Sequence, residues 1–344
     1  MTAVTGRAPG NPLIGWRVPR DDIRYIGTGL RRPECVLATP DGTILAADAG
    51  GGVVRIRPGG VQDYIGPNEP PSAAATDDDF NVGGSLPNGI ALLPDGSILI
   101  ANIGSGAIER LTADGRVTRL FDRLDGRPLG LVNFVTTDSR GQVWFTVTTR
   151  LDPWDRASNE RPADGYVARI DDDGITVMAD GFTGTNEIRF GPGEEWLYVV
   201  ESNARHVSRL RLRRGRTPRL SDREIVGPDD LGGIPDGFAF DVAGNLWITL
   251  VSADRLVALT PDGQLLTLLD DGDPDGIAEF ERHFTARTLT PPVIAGTRGT
   301  IAPLMSSVTF GGPDLRTVYL GSLMGTRLPV FRSPVAGLPL PHWT

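Results

Sequence analysis

The sequence predicts an all-β fold: a six-bladed β-propeller with four antiparallel strands per blade, the ring closed by an N-terminal strand. Three observations carry this expectation. A frame of sixteen residues recurs six times, the mark of a repeat architecture. Each frame holds a short apolar strand, a tight turn ending in Gly and an alternating strand. Finally, 44 glycines and 28 prolines are spread evenly over 344 residues, which favours many short strands over long helices.

The elements follow in order. Residues 1–20 are read as an N-terminal extension, 21–335 as the propeller and 336–344 as a C-terminal tail. The strand DDIRYIG, from Asp21, has no blade of its own and is expected to complete the sixth blade, removing an open sheet edge. The frames are PECVLATPDGTILAAD from Pro33, PNGIALLPDGSILIAN from Pro87, VNFVTTDSRGQVWFTV from Val132, NEIRFGPGEEWLYVVE from Asn186, PDGFAFDVAGNLWITL from Pro235 and SSVTFGGPDLRTVYLG from Ser306. Third and fourth strands follow most of them, as in VVRIRP with VQDYI, AIERLT with RVTRLF, YVARID with ITVMAD, and RLVALT with QLLTLL. A β-sandwich would not require six units in common register.

Composition excludes several chemistries. The 34 cationic side chains are all arginine, so Schiff-base, pyridoxal and Walker-type phosphate chemistry have no lysine to use. One cysteine, Cys35, excludes an intramolecular disulfide and Cys-rich metal sites. Three scattered histidines, His206, His283 and His342, do not make a His-rich site. A net charge of −9 makes nucleic acid a poor partner, and no apolar run reaches the ~18 residues of a membrane span. Met1–Arg20 has no apolar signal core, and the chain is read as cytoplasmic and reduced, with a small molecule as its expected partner.

The register identifies a ring. Glu34, Asn88, Asn133 and Asp236 each lie eight residues before the Gly of their turn, at Gly42, Gly96, Gly141 and Gly244. Asn186, Asp236 and Ser306 each lie four before a strand Phe, at Phe190, Phe240 and Phe310. Radial symmetry brings these six polar positions to one mouth of the central channel. Two carboxylates with amide carbonyls form a hard oxygen environment suited to one divalent cation, Ca²⁺ first, with Mg²⁺, Mn²⁺ or Zn²⁺ as alternatives. Without a cation, the two acids would repel and one would take up a proton.

Three long excursions, 66–86, 149–164 and 270–302, are expected on the same mouth, the first carrying SAAATDDDF and the last a short helix in IAEFERHFTART. Together they would roof the ring. Cys35 is expected to turn away from Glu34, His206 to be a blade residue, and His283 to reach the site only if its segment is a lid. Trp144, Trp196 and Trp247 read as blade core, Trp154 as a pocket residue, and the arginines from Arg209 as a solvated face.

At these residues the chain resembles the gluconolactonase family that includes senescence marker protein (regucalcin) and luciferin-regenerating enzyme. The resemblance rests on Pro33–Glu34, the Asn of NEIRF, PDGFAFDVAGNLWIT and SSVTFGGPDLRTVYLGS, and runs from about Asp21 to Phe331. It implies a six-bladed propeller with one divalent cation in the mouth and hydrolysis of a lactone. Glu34, Asn186 and Asp236 would be metal ligands, Asn133 a fourth ligand or a substrate contact, and Asp236 the general base. As a ligand, Asp236 would have a lowered pKa, so the variant in which it only steers water is also open. Two departures bear on substrate. Sugar-lactone members often have Arg two residues before the blade-3 Asn and Asp just after it, where this chain has Leu131 and Phe134. Leu131, Phe134, Asn133 and Asn88 are therefore the expected substrate-contacting set, and the substrate is expected to be less polar than gluconolactone. The expected activity is thus a metal-dependent lactonase. Another metal-assisted hydration or ring opening, or a non-catalytic binding propeller held by its cation, remain alternatives.

Overall fold

Six four-stranded antiparallel sheets surround one axis in the structure, a computed structural model that describes residues 10–67, 85–215 and 218–343. The first blade is Val36–Ala38, Ile44–Asp48, Gly52–Ile56 and Gln62–Ile65. The inner strands of the other five are Pro87–Leu92, Val132–Thr137, Thr185–Phe190, Pro235–Phe240 and Met305–Gly311. Each inner strand packs on the next, and the sixth returns to the first. Closure follows the expectation: Arg24–Ile26 pairs antiparallel with Leu328–Arg332 as the outermost strand of blade 6, with Tyr25 opposite Pro329. The sheet edge that a linear array would leave open is thereby covered by the same chain.

The recurring turn explains itself locally. In blade 1, Gly42 takes φ +84°, a conformation that costs an L side chain energy, and its N–H bonds to Thr39 O while Asp41 accepts from Thr43 N. Two blade joints are filled by a tryptophan. Trp144 meets Phe190 edge-on at 5.4 Å, and Trp247 meets Phe310 in the same way at 5.1 Å, each bridging two blades. Both tryptophans are fully buried, so truncation of either to Ala would cost about 3–5 kcal/mol.

Both flanking segments pack on the propeller. Leu13 is buried, Trp16 stacks near Trp247 and Phe331, and Val18 N bonds to Leu268 O. At the other end of the chain, Leu338 N bonds to Phe240 O, and the side chains of His342 and Trp343 both reach Ala38 O at 2.8 Å. This last segment crosses the channel opening on the side of the Gly turns. There, Leu338 and Leu340 line a cavity with Thr136, Arg189 and Phe310.

Two of the three long excursions dock against each other. Segment 149–164 carries the short helix Ala157–Glu160, and 270–302 carries helices Pro274–Ala286 and Pro291–Ala295. The longer helix starts where its sequence says it should, with Asp273 capping Gly276 N at 2.7 Å and Pro274 in the first turn. Asn159 exchanges two hydrogen bonds with the Leu289 backbone, and Arg161 both stacks on the Phe284 ring and donates to Phe284 O. Phe280 and Leu289 then cover Ile234 and Leu304 at the mouths of blades 5 and 6. Buried Asp254 holds the far end of the excursion, accepting from Gly299, Leu304 and Met305 N. In the first excursion, residues 68–84, including SAAATDDDF, lie outside the described residues. Among the described residues, no helix is long and apolar enough to cross a membrane.

Candidate active site

The inner strands do not run straight past the mouth. In blades 2 to 6 the pairing with the second strand slips at one place, between Pro87 and Ile90, Val132 and Val135, Thr185 and Ile188, Pro235 and Phe238, and Met305 and Ser307. Asn88, Asn133, Asn186, Asp236 and Ser306 each sit in that irregularity. A bulge re-aims a side chain that simple alternation would leave on a sheet face. Thr146 and Thr249, from second strands, accept the N–H of Phe134 and Gly237 inside two of these bulges. Blade 1 reaches the same end by another route. Arg32 takes φ +50°, and its carbonyl accepts Glu34 N at 2.7 Å, which sets Glu34 at the ring.

All six ring residues are buried, none more than 8 % exposed. Hydrogen bonds join neighbours around the ring. Arg32 donates to Asn88 Oδ1 at 2.9 Å, and Asn88 Nδ2 donates to Asn133 O at 3.1 Å. Asn186 Nδ2 donates to Asp236 Oδ1 at 2.7 Å, and Ser306 Oγ to Glu34 O at 2.9 Å. Three buried oxygens are left over: Glu34 Oε2, Asn133 Oδ1 and Asn186 Oδ1 accept no hydrogen bond from any described residue. Each such acceptor costs about 1–3 kcal/mol unless something else satisfies it.

The charges are equally unsettled. Burial and then the neighbouring Asp236 carboxylate hold the Glu34 carboxyl well above the usual carboxylate range, against the pull of Arg32 and Asn88. Burial and then Glu187 push Asp236 up to about 7, against the Asn186 hydrogen bond and Arg32. A cation would relieve both. The donors on offer, two carboxylates and two amide oxygens, are all hard, which fits a divalent ion bound through oxygen. Among the described residues, no group of three or more His, Cys, Asp and Glu is placed to hold a metal, so any site here depends on the amides.

Outside the ring stands a collar, two residues before each ring position: Arg32, Leu86, Leu131, Gly184, Ile234 and Leu304, every one buried. Leu131 packs with Leu86, Ile103 and Trp154, and together with Ile103, Trp154, Tyr166 and Arg150 it lines a cavity of about 1140 Å³. Phe134 goes elsewhere. It lies 1 % exposed in the core, close against Gly89 and with Arg189 5.0 Å over its ring, and it does not line that cavity. Cys35 is fully buried. His206 pairs with Glu201, and His283 with Glu279 and Thr288; neither bonds to a ring residue. Arg209 and Arg211 stack on Trp196, and Arg209 also pairs with Glu224.

Sequence reasoning missed three charged groups beside the ring. Arg32 is in the collar. Glu187 and Arg189 form a buried pair at 3.0 Å on the blade-4 inner strand, with Arg189 also donating to Phe238 O. A charged pair two residues apart in NEIRF, at places that the other five blades fill with uncharged residues, was the available signal for the latter two.

Comparison with known proteins bears on the family and the fold. A family model described as "SMP-30/Gluconolactonase/LRE-like region" matches residues 72–271. A 6-deoxy-6-sulfogluconolactonase from Pseudomonas putida is 29 % identical over 209 residues, 59 % of each chain, so this chain spans little more than half of that relative. Among solved structures, a gluconolactonase from Xanthomonas campestris superposes with a TM-score of 0.63 at 21 % identity, over 92 % of this chain and 94 % of that one. The calcium-binding protein regucalcin from Agrobacterium tumefaciens gives 0.65 at 15 % identity, over 93 % and 98 %. At these identities the structural likeness is one of fold. The family model, which covers more than half of the chain, settles membership: the protein belongs to the SMP-30/gluconolactonase/LRE-like family.

Proposed function

We propose that the protein is a divalent-cation-dependent hydrolase of a lactone or related cyclic ester less polar than a sugar lactone. The observation that carries this reading is the set of three unpartnered buried oxygens, Glu34 Oε2, Asn133 Oδ1 and Asn186 Oδ1, on the ring that also holds the Asp236 carboxylate, itself bonded to Asn186. Those four residues would hold the ion, with Ca²⁺ favoured by the all-oxygen donor set. When bound, the cation supplies Lewis-acid polarisation of a carbonyl oxygen.

The chain's own groups do the rest. Asp236, held by Asn186, accepts a proton from the attacking water as its oxygen bonds to the carbonyl carbon. The ring C–O bond then breaks, Asp236 returns that proton to the leaving oxygen to make the hydroxyl, and the acid releases its remaining proton to solvent and leaves as its carboxylate. Leu86, Leu131 and Ile103 present apolar surface to the body of the substrate, with Trp154 beside them. The relative named as a sulfogluconolactonase makes lactone hydrolysis the natural first reaction to test.

The test is turnover of a lactone panel, from gluconolactone to alkyl and aryl lactones, by chelator-treated protein with Ca²⁺, Mg²⁺, Mn²⁺ and Zn²⁺ returned singly. The expected result is cation-restored hydrolysis, faster on the less polar members, that falls by about 10²–10⁴ in Asp236→Asn while the fold persists. Cation binding with no turnover of any member would sink the activity.

A further inference from the structure

We propose that Arg32 is the substrate-contacting cation of this site: it receives the oxygen that gains charge when the lactone carbonyl is attacked, and then one end of the product carboxylate. The inference rests on the lactonase reading and adds to it a residue and a ligand chemistry, a carboxylate on an apolar body.

Four observations carry it. The collar is apolar or glycine at five of its six positions, and Arg32, 5 % exposed, is the exception. Burying a guanidinium there opposes stability, since blades 2, 3 and 6 fill the equivalent place with Leu. The backbone is bent to permit it: φ +50° at a non-glycine residue costs roughly 1–2 kcal/mol. Among its contacts are Asn88 Oδ1 at 2.9 Å and Pro87 O at 3.3 Å, which carry the guanidinium across from blade 1 to the head of blade 2. Finally, its charge acts on both Glu34 and Asp236, so it lies within the field of the two carboxylates that would face the substrate.

These facts also explain Asn88. Its Oδ1 is taken by Arg32 and its Nδ2 by Asn133 O, so it orients the guanidinium, while Asn133 and Asn186 keep an unbonded oxygen for the cation. Planar N–H donors suit the two oxygens of a carboxylate better than a point charge does. With the rest of the collar apolar, the site matches a hydroxy acid whose polarity is gathered at one end.

The experiment is calorimetry on wild type, Arg32→Met and Arg32→Lys, titrated first with Ca²⁺ alone and then, Ca²⁺-loaded, with 4-hydroxydecanoate. Removing a positive charge from beside a cation site tightens Ca²⁺, while losing a carboxylate partner weakens the anion. The expected signature of Arg32→Met is therefore opposite in sign: Ca²⁺ bound about threefold to tenfold more tightly and 4-hydroxydecanoate at least about tenfold more weakly. Arg32→Lys keeps the charge and loses the fork, so its Ca²⁺ affinity stays near wild type while the anion still weakens; it carries the test should Arg32→Met fail to fold. A merely structural arginine would weaken both ligands together, and that result overturns the inference. So does unchanged anion affinity in the variants, or no anion binding by the wild type. Failure of the wild type to bind Ca²⁺, or Mg²⁺, Mn²⁺ or Zn²⁺ titrated in its place, removes the lactonase reading and this inference with it, and is read in the first titration.

Discussion

Glu201 and Asp236 are both buried carboxylates at the mouth end of adjoining blades, and their surroundings are opposite. Glu201, 1 % exposed, accepts from Thr183 N, Ser208 Oγ and His206, and both of its oxygens accept from Arg223 Nη2. Burial alone would raise its carboxyl, yet His206, Ser208, Thr183 and Arg223 together bring it down to about 2. Asp236 accepts from Asn186, has a like charge in Glu187, and stands at about 7. Burial of a charge is therefore no mark of function in this fold. What separates the two is the number of partners the protein supplies: Glu201 is fully paired, while Asp236 is left short, which is what a group awaiting a ligand requires.

The largest effect that would break this comparison is on the Glu201 side. Glu201→Gln leaves Arg223 and His206 without their buried partner and should cost about 3–5 kcal/mol by chemical denaturation. The pH dependence follows from the sign of its shift. A carboxyl lowered from 4.5 to about 2 on folding contributes stability that is complete above 4.5 and is lost as pH falls towards 2. Wild type should therefore lose stability across that window faster than Glu201→Gln, and parallel acid curves would show that Glu201 is not paired as described.

The ring should respond in the other direction. Without cation, Glu34→Gln relieves like-charge repulsion and leaves stability within about 1 kcal/mol of wild type, or raises it. With Ca²⁺ at about a hundred times its dissociation constant, wild type should gain about 2.7 kcal/mol, and Glu34→Gln much less. Thermal denaturation with and without Ca²⁺ reads both. A large loss from Glu34→Gln in cation-free buffer would put Glu34 in the same class as Glu201. The smallest effect concerns the cavity: Trp154→Ala should change the ratio of kcat/KM between an aryl lactone and a small lactone by about tenfold, with little change in the melting temperature.

Much of this was legible because the blades repeat. Counting from the Gly turns reached Glu34, Asn88, Asn133 and Asp236, counting from the strand Phe added Asn186 and Ser306, and the structure brings all six to one mouth. What alternation could not follow was the bulge. Phe134 follows Asn133 and was expected at the substrate, but after the slip between Val132 and Val135 it lies in the core against Gly89. Arg32 stayed hidden for a related reason: it stands before the first strand, in a left-handed turn that no strand period describes. The docking of the two excursions depends on Asn159 meeting Leu289, 130 residues later, with no pattern in either segment to announce it.

The segment that crosses the opposite opening of the channel has a kinetic consequence. Leu338 bonds to blade 5 while His342 and Trp343 reach blade 1, so chain lies over that end, and traffic to the ring passes through the other. A molecule leaving uses the doorway that the next one needs. If the proposed lactone hydrolysis holds, departing acid and arriving lactone are rivals for the same empty protein, and accumulated product should raise the apparent KM while leaving the maximal rate alone.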